Sequence, residues 1–212
     1  MHRYDLHVHT YKSICSNLKP ESILEAAKRK GLDGIAITDH NTIAGALQVK
    51  GINKDRNFEV IVGEEILTDC GEVLALDLHS QVPQGSLTDV IRNAKKQGAI
   101  VALAHPADAF RKHFSLNTIK KYAREIDALE TLNSRTLNPL FNDSAYSYAK
   151  MLSLASIAGS DAHFAFEIGG AVTLFNGTLR DAIFKRKTST EGSILLGPLG
   201  MASTFFYKNF LR

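Results

Sequence analysis

A chain of 212 residues, 44% hydrophobic and 22% charged, is long enough to bury the core of one α/β domain and too ordinary in composition for a fibrous or disordered protein. Its formal net charge of +3 is too small to imply nucleic-acid binding on its own. The basic clusters Lys28-Arg29-Lys30, Lys95-Lys96, Lys120-Lys121 with Arg124, and Lys185-Arg186-Lys187 fall late in expected helices, where cations complement the helix dipole.

The first ten residues read as a strand that carries Asp5, His7 and His9 on one face and Leu6 and Val8 on the other. Neutral imidazole is a common metal ligand, and two imidazoles at i and i+2 can chelate one ion. Taken alone, the segment reads equally well as a surface strand that happens to carry histidines. A polar, turn-like run from Thr10 to Asn17 leads to a helix opened by Pro20 and closed by Gly31. Leu32 to His40 reads as a buried parallel strand that delivers Thr38, Asp39 and His40 at its end, and Asn41 is placed to cap a helix through about Lys50.

Phe58 to Ile66 repeats the design, an apolar strand ending in Gly63-Glu64-Glu65, and Glu72 to Asp77 forms another short strand. Ser86 with Asp89 resembles a capping box for a helix reaching Gly98, and Ala99 to Pro106 is a strand ending in His105. Ser115 caps a helix to about Glu125, and Ile126 to Asn133 is a strand carrying Glu130 and Asn133 at its end. A helix from about Pro139 to Met151 precedes the strand Leu154 to Gly159, with Ser160-Asp161-Ala162-His163 directly after it. Gly169 to Phe175 is the last expected strand and Leu179 to Lys187 the last expected helix.

Strands alternating with helices favour a parallel sheet closed, or nearly closed, into a barrel, with an open doubly wound sheet as the alternative. In both, strand C-terminal ends gather at one face, so His7, His9, His40, Glu65, His105, Asp161 and His163 converge. Buried imidazoles and carboxylates without partners are costly, and metal ions resolve that conflict. His2, His79 and His113 lack such placement and read as surface residues.

The motifs Asp5-Leu-His-Val-His-Thr10, Thr38-Asp-His40, Gly63-Glu-Glu65, Ala104-His-Pro106 and Gly159-Ser-Asp-Ala-His163 resemble, in order, those of the PHP superfamily, named for polymerase and histidinol phosphatase. The resemblance runs from the first strand to about residue 190. It implies a distorted (βα)7 TIM-like barrel over a single domain, 1–212, with about 194–212 as a C-terminal apolar extension. It also implies two or three divalent ions (zinc, manganese or iron) and phosphoester hydrolysis by a metal-bridging hydroxide. Carried over by position, His7 and His9 with Asp161 hold one ion, Glu65 bridges to a second held also by His105, and His40 with His163 holds a third. Glu65 is chosen over Glu64 because the family pattern is Gly, any residue, Glu. Asp161, His163, His40 and Glu65 form the implied catalytic set.

Two departures stand out. The loop after the first histidines usually supplies Asp or His to the third ion, and this chain offers Cys15, whose thiolate suits zinc better than manganese, so that either Cys15 selects a softer metal or the third site is weak or empty. Where many members place a histidine after the strand following His105, this chain has Asn133, a poorer ligand that is free to contact substrate. Arg135 and Arg111 are placed to offer bidentate contacts to a phosphoryl group. The expected partner is a small phosphorylated metabolite or nucleotide. The alternatives are a nuclease on oligonucleotide ends, with nucleic acid as substrate only, and a non-catalytic scaffold like a related RNA-processing subunit.

Cys15 and Cys70 make no disulfide framework, and no charged start with an apolar h-region precedes the first strand, so a cytoplasmic protein is expected. The apolar tail from Ile194 to Phe206 is broken by Gly197, Pro198 and Gly200 and is too short to span a bilayer. It is expected to pack on the domain or on a second subunit.

Overall fold

A computed structural model describes residues 1–211. The chain runs β1 (His2–Val8), α1 (Pro20–Arg29), β2 (Gly34–Ile37), α2 (Ala44–Ile52), β3 (Glu59–Leu67) and β4 (Glu72–Leu76). It continues through α3 (Leu87–Lys96), β5 (Ile100–Leu103), α4 (Leu116–Tyr122), β6 (Ala128–Asn133), α5 (Pro139–Leu152) and β7 (Ala155–Gly159). It ends with β8 (Ala171–Phe175), α6 (Leu179–Phe184), β9 (Ser189–Gly192) and α7 (Gly197–Phe206), followed by a π-helical turn, Tyr207–Leu211.

Local sequence accounts for most of these elements. In α1, Pro20 sits in the first turn, and Ile23, Ala26 and Ala27 form one buried stripe against the sheet. The hydroxyls of Ser86 and Ser115 accept from the backbone N–H groups of Asp89 and Thr118, capping α3 and α4 as expected. Asn41 does not cap α2: its own backbone is left-handed (φ 54°), and its side-chain oxygen accepts from the Leu67 N–H instead. Three elements differ from expectation at the C-terminal end: α6 stops at Phe184, and β9 and α7 follow it.

The strands form one sheet in the order β7-β6-β5-β4-β3-β2-β1-β8-β9. The runs β1-β2-β3 and β5-β6-β7 are parallel, but β4 is antiparallel to both neighbours and β8 is antiparallel to β1. The expected alternation of strand and helix therefore breaks between β3 and β4. A tight turn there, with the Thr68 N–H bonded to Gly71 O, leaves no length for the helical crossover that a parallel pair needs. The sheet curls so that the segment just beyond β7 meets β1, where Asp161 N donates to His7 O (2.7 Å) and His9 N to Ala162 O (3.0 Å), so the barrel is nearly closed at the strand C-terminal ends.

Two apolar layers follow from strand parity. Ile35, Ile37, Val60 and Val62 face the helices, while Ala36, Ile61, Leu74, Leu76, Ile100 and Ala102 fill the barrel interior. A pairing irregularity between Asp5 and Val8 changes the parity of β1. Tyr4 and Leu6 point inward and Val8 outward, so His7 and His9 reach the barrel mouth and Asp5 lies on the opposite face. The expectation that Asp5 shares a face with the histidines is corrected by this irregularity, which alternation alone does not reveal.

Candidate metal centre

At the barrel mouth the residues come together from β1, β2, β3, β5 and β7 or the turns directly after them. Glu65, inward by parity with Ile61 and Gly63, is central and 1% exposed. Its Oε2 lies 2.9 Å from His40 Nδ1 and 3.4 Å from Nε2 of both His7 and His9, and its Oε1 is 3.1 Å from His105 Nε2. Asp161 Oδ1 is 3.2 Å from His9 Nε2 and 3.7 Å from His7 Nε2. His163 Nε2 lies 3.0 Å from Cys15 Sγ, and the His9 ring centroid is 4.4 Å from that of His163 and 4.5 Å from that of His40. The structure therefore brings together every ligand-type residue named from the sequence, Cys15 included. Glu64 points the other way, into the helical layer, where it accepts from Val82 N.

Backbone geometry completes the convergence. His105 and Asp161 are non-glycine residues with positive φ (28° and 56°), strained conformations that turn each side chain into the mouth just after its strand. Gly159 is required beside them, because a Cβ there would come within 2.3 Å of His7 Cβ.

The surrounding groups fix which ring nitrogens face inward. His7 Nδ1 lies 2.9 Å from the Glu130 carboxylate, which can only accept, so His7 carries its proton on Nδ1. Ser13 Oγ donates to Asp39 and therefore accepts from His9 Nδ1 at 3.2 Å. Asp39 also holds Thr10 through its N–H and hydroxyl, so Thr38-Asp39-His40 anchors the loop that carries Ser13 and Cys15. The Nε2 atoms of the two rings then face one another at 3.1 Å. Glu65 Oε2 has no hydrogen-bond partner among the described residues. Two ring nitrogens aimed at one another beside an unpartnered buried carboxylate oxygen are what a cation satisfies, so the donor set fits divalent ions. Among the described residues, three groupings have ligand atoms close enough to share an ion: His7-His9-Glu65, His9-His40-His163 and His40-Glu65-Glu72.

The buried carboxylates draw protons onto two of the imidazoles. Burial pushes both down, but Glu65, Glu130 and Asp161 raise His7 well above its ordinary value, and Glu65 with Cys15 raises His40 to about 11. A divalent ion would meet that demand for positive charge in place of those protons. Burial pushes the Glu65 carboxyl up, but His7, His40 and the hydrogen bond from His105 outweigh it and hold its pKa well below the ordinary range. Burial likewise opposes ionisation of Asp161, and Arg111 with His7 overcomes it. Burial, His9 and the Arg135 charge drive the pKa of His163 well down, which keeps the ring in the neutral form that ligates metals.

Sequence reasoning missed Glu72. Its carboxylate oxygens lie 3.5 Å from His105 Nε2 and 4.0 Å from His40 Nδ1. The signal was available in the parity of Glu72 with Leu74 and Leu76, but β4 read as parallel places its first residue at the wrong end of the barrel. Glu130 was placed at a strand end without a role, and it both orients His7 and accepts from His105 N at 2.7 Å.

The residues expected to contact substrate are placed differently. Arg111, with 19% of its side chain exposed, pairs with Asp161 and Asp108 at the rim. Arg135 is 3% exposed and bonded to Thr204, against His163, so it offers no free edge to a phosphoryl group in this conformation. Asn133 is fully buried; its amide donates to Glu130 and Asp161, and its oxygen accepts from Arg135 N. It braces two acidic groups of the site and does not face solvent.

Cys15 is 4% exposed and faces His163, so its effect on metal choice can be measured. Cys15→Asp is expected to shift the preference of the His9-His40-His163 grouping from zinc toward manganese while preserving turnover, and Cys15→Ser to weaken zinc there. Metal titrations giving the same ion preference for wild type and both variants would remove Cys15 from the ligand set.

Comparison with known proteins places these features in a family. Residues 139–187 match a family model described as PHP-associated. Two uncharacterised proteins of Methanocaldococcus jannaschii are each 34% identical to the chain. The first match covers 66% of this chain and 87% of the relative, the second 82% and 70%. A 5'-3' exoribonuclease of Haemophilus influenzae is 36% identical over 67 residues, which is 32% of this chain and 24% of that protein. The fold is similar to that of a two-domain Bacteroides vulgatus protein containing a predicted PHP-like metal-dependent phosphoesterase. That similarity has a TM-score of 0.76 at 20% identity, over 90% of this chain and 64% of that one. With ordered histidine and carboxylate motifs at the mouth of a nearly closed barrel, and relatives matched over most of their length, the chain belongs to the PHP superfamily.

Proposed function

We propose that the protein is a metal-dependent phosphoesterase acting on a small phosphorylated metabolite or nucleotide, as a single domain in the cytoplasm. The observation that carries this reading is the orphaned Glu65 Oε2 in reach of three imidazoles at the barrel mouth. Two or three ions of zinc, manganese or iron held there would supply neutralisation of phosphoryl charge and a lowered pKa for water. The chain's own residues do the rest. Glu65 and Asp161, ionised and buried, fix the spacing of the cationic groups around them. Arg111, half of its reach spent on Asp161, is the cation nearest the solvent side and orients an incoming phosphoryl group. His40, with 32% of its side chain exposed, is the most open imidazole of the set and marks the side from which substrate reaches it.

A second reading, a nuclease on oligonucleotide ends, is favoured by one surface feature. Phe110, 70% exposed, packs edge-on against Phe141 at 5.5 Å and directly precedes Arg111, offering an aromatic face to a base at the rim. The similarity to the Haemophilus influenzae exoribonuclease points the same way. Retention of the ligand set argues against a non-catalytic scaffold.

Protein of measured metal content should hydrolyse members of a panel of sugar phosphates, nucleotides, p-nitrophenyl phosphate and short single strands. Chelation should cost more than about 100-fold in rate, with recovery on adding zinc or manganese. Less than about one ion per chain after reconstitution, or turnover indifferent to chelation, would remove the basis of the reading. Preference for short strands over mononucleotides would select the nuclease.

A further inference from the structure

The C-terminal helix α7 lies against the loops that follow β6 and β7, and two of its glycines make that approach possible. A Cβ on Gly197 would stand 2.8 Å from Ser134 O, and one on Gly200 only 1.7 Å from Glu167 Oε1. From the same helix, Thr204 Oγ1 accepts from Arg135 Nη2 at 2.8 Å. Beneath the helix, Arg135 and Glu167 are 3% and 1% exposed and paired at 3.1 Å through Nε and Oε1, although neither atom has an aligned hydrogen bond. A buried ion pair contributes little net stability, because desolvation offsets its attraction, so its presence calls for another role.

The other contacts of the pair supply that role. Glu167 Oε2 accepts from the backbone N–H groups of His163 (2.9 Å) and Phe164 (3.0 Å), clamping the turn that carries the His163 ring. His163 Nδ1 donates to Asp161 O at 2.7 Å, which turns Nε2 toward Cys15, and Arg135 Nη1 packs against the ring on the side away from Cys15. The carboxylate thus fixes the backbone of His163 and the guanidinium backs its ring, while α7 covers both.

We infer that α7 is a working part of the metal centre: through Gly200 and Thr204 it seats the Arg135–Glu167 pair, and that pair positions His163 for the ion shared with His9 and His40. The inference rests on the reading of the cluster as a metal site. Arg135, Glu167 and Thr204 are positioning residues, since none of them faces the space between the ligand atoms. The apolar tail then has a local function, and the isolation of Arg135 from solvent follows from it.

The test is a metal titration of the stripped full chain with zinc and, separately, with cobalt(II), whose absorption reports the ligand field. Glu167→Gln and Gly200→Ala are expected to weaken the most weakly held ion about 10- to 100-fold, the range found when groups that orient a metal ligand are lost. They should leave the tighter ions within about twofold. Thr204→Val should show a smaller loss of the same kind and Thr204→Ser should restore wild-type binding, a pair that keeps the test decisive if Gly200→Ala does not fold. Wild-type affinity and an unchanged cobalt spectrum in Glu167→Gln and Thr204→Val would overturn the inference while leaving the metal reading intact. Failure of the wild type to bind any ion would overturn the metal reading itself and the inference with it. Uniform weakening of every ion would assign α7 to general stability and would likewise overturn the positioning role.

Discussion

Alanine at Glu65 is expected to lower kcat/KM by at least about 1000-fold and to reduce bound metal by one ion or more, with the barrel still folded. Among the described residues no other side chain has oxygens in reach of four imidazoles: His7, His9 and His40 lie around one oxygen and His105 beside the other. Removing the carboxylate leaves those rings with Asp161 and Glu72 alone to balance a cation, and a lost transition-state charge contact of this kind costs about 3–4 kcal/mol or more. Glu65→Gln separates charge from shape. It keeps the volume, turns one oxygen into a donor facing imidazole lone pairs, and should be as inactive as the alanine variant. Because bound ions stabilise the native state, a fall in Tm is expected only when metal is present. Elemental analysis beside steady-state kinetics checks both parts, and a Glu65→Ala protein retaining wild-type turnover would mean that the chemistry lies elsewhere.

The cluster was legible in the sequence where a residue of ligand type sits at the end of a parallel strand or directly after it. His7, His9, His40, Glu65, His105, Asp161 and His163 are all found from that rule, because parallel strand ends share one face of the barrel whatever the details of closure. The rule fails wherever chain direction or parity changes. Glu72 opens an antiparallel strand, so its first residue lies at the mouth, where the last residue of a parallel strand would be. Asp5 is displaced to the other face by an irregularity in β1 that hydrophobic alternation does not show. Arg135 was misjudged for a different reason. Its place two residues beyond Asn133 puts it near the site, but only the tertiary path of α7, a tail with no periodic signal of its own, decides that it is covered.

Asp5→Ala is expected to be the most destabilising single change near the site. The carboxylate is fully buried and accepts from Ser160 N (2.8 Å), Ser160 Oγ, Gly169 N (2.8 Å) and His7 N (3.3 Å), so it ties β1 to the loop that carries Asp161 and His163. Each buried donor left without a partner costs about 1–3 kcal/mol, and Ser160 Oγ alone has another acceptor nearby, His7 O at 3.5 Å. A total loss of about 3–5 kcal/mol follows, which for a chain of this size is a fall in Tm of roughly 8–15 °C. Burial pushes the Asp5 carboxyl up to about 6 against the pull of these four donors, so it is ionised at pH 7.5 and all four bonds are in place. The sign of the pH dependence follows from that raised value. Ionising Asp5 is a cost of folding that appears as pH climbs from the unfolded carboxylate range through about 6, so wild-type stability should decline modestly over that interval, and the decline should be absent in Asp5→Ala. Thermal unfolding of metal-free wild type and variant between pH 5 and 8 reads both effects. A variant within about 1 kcal/mol of wild type at pH 7.5 would show that the loop after β7 is held by something other than Asp5.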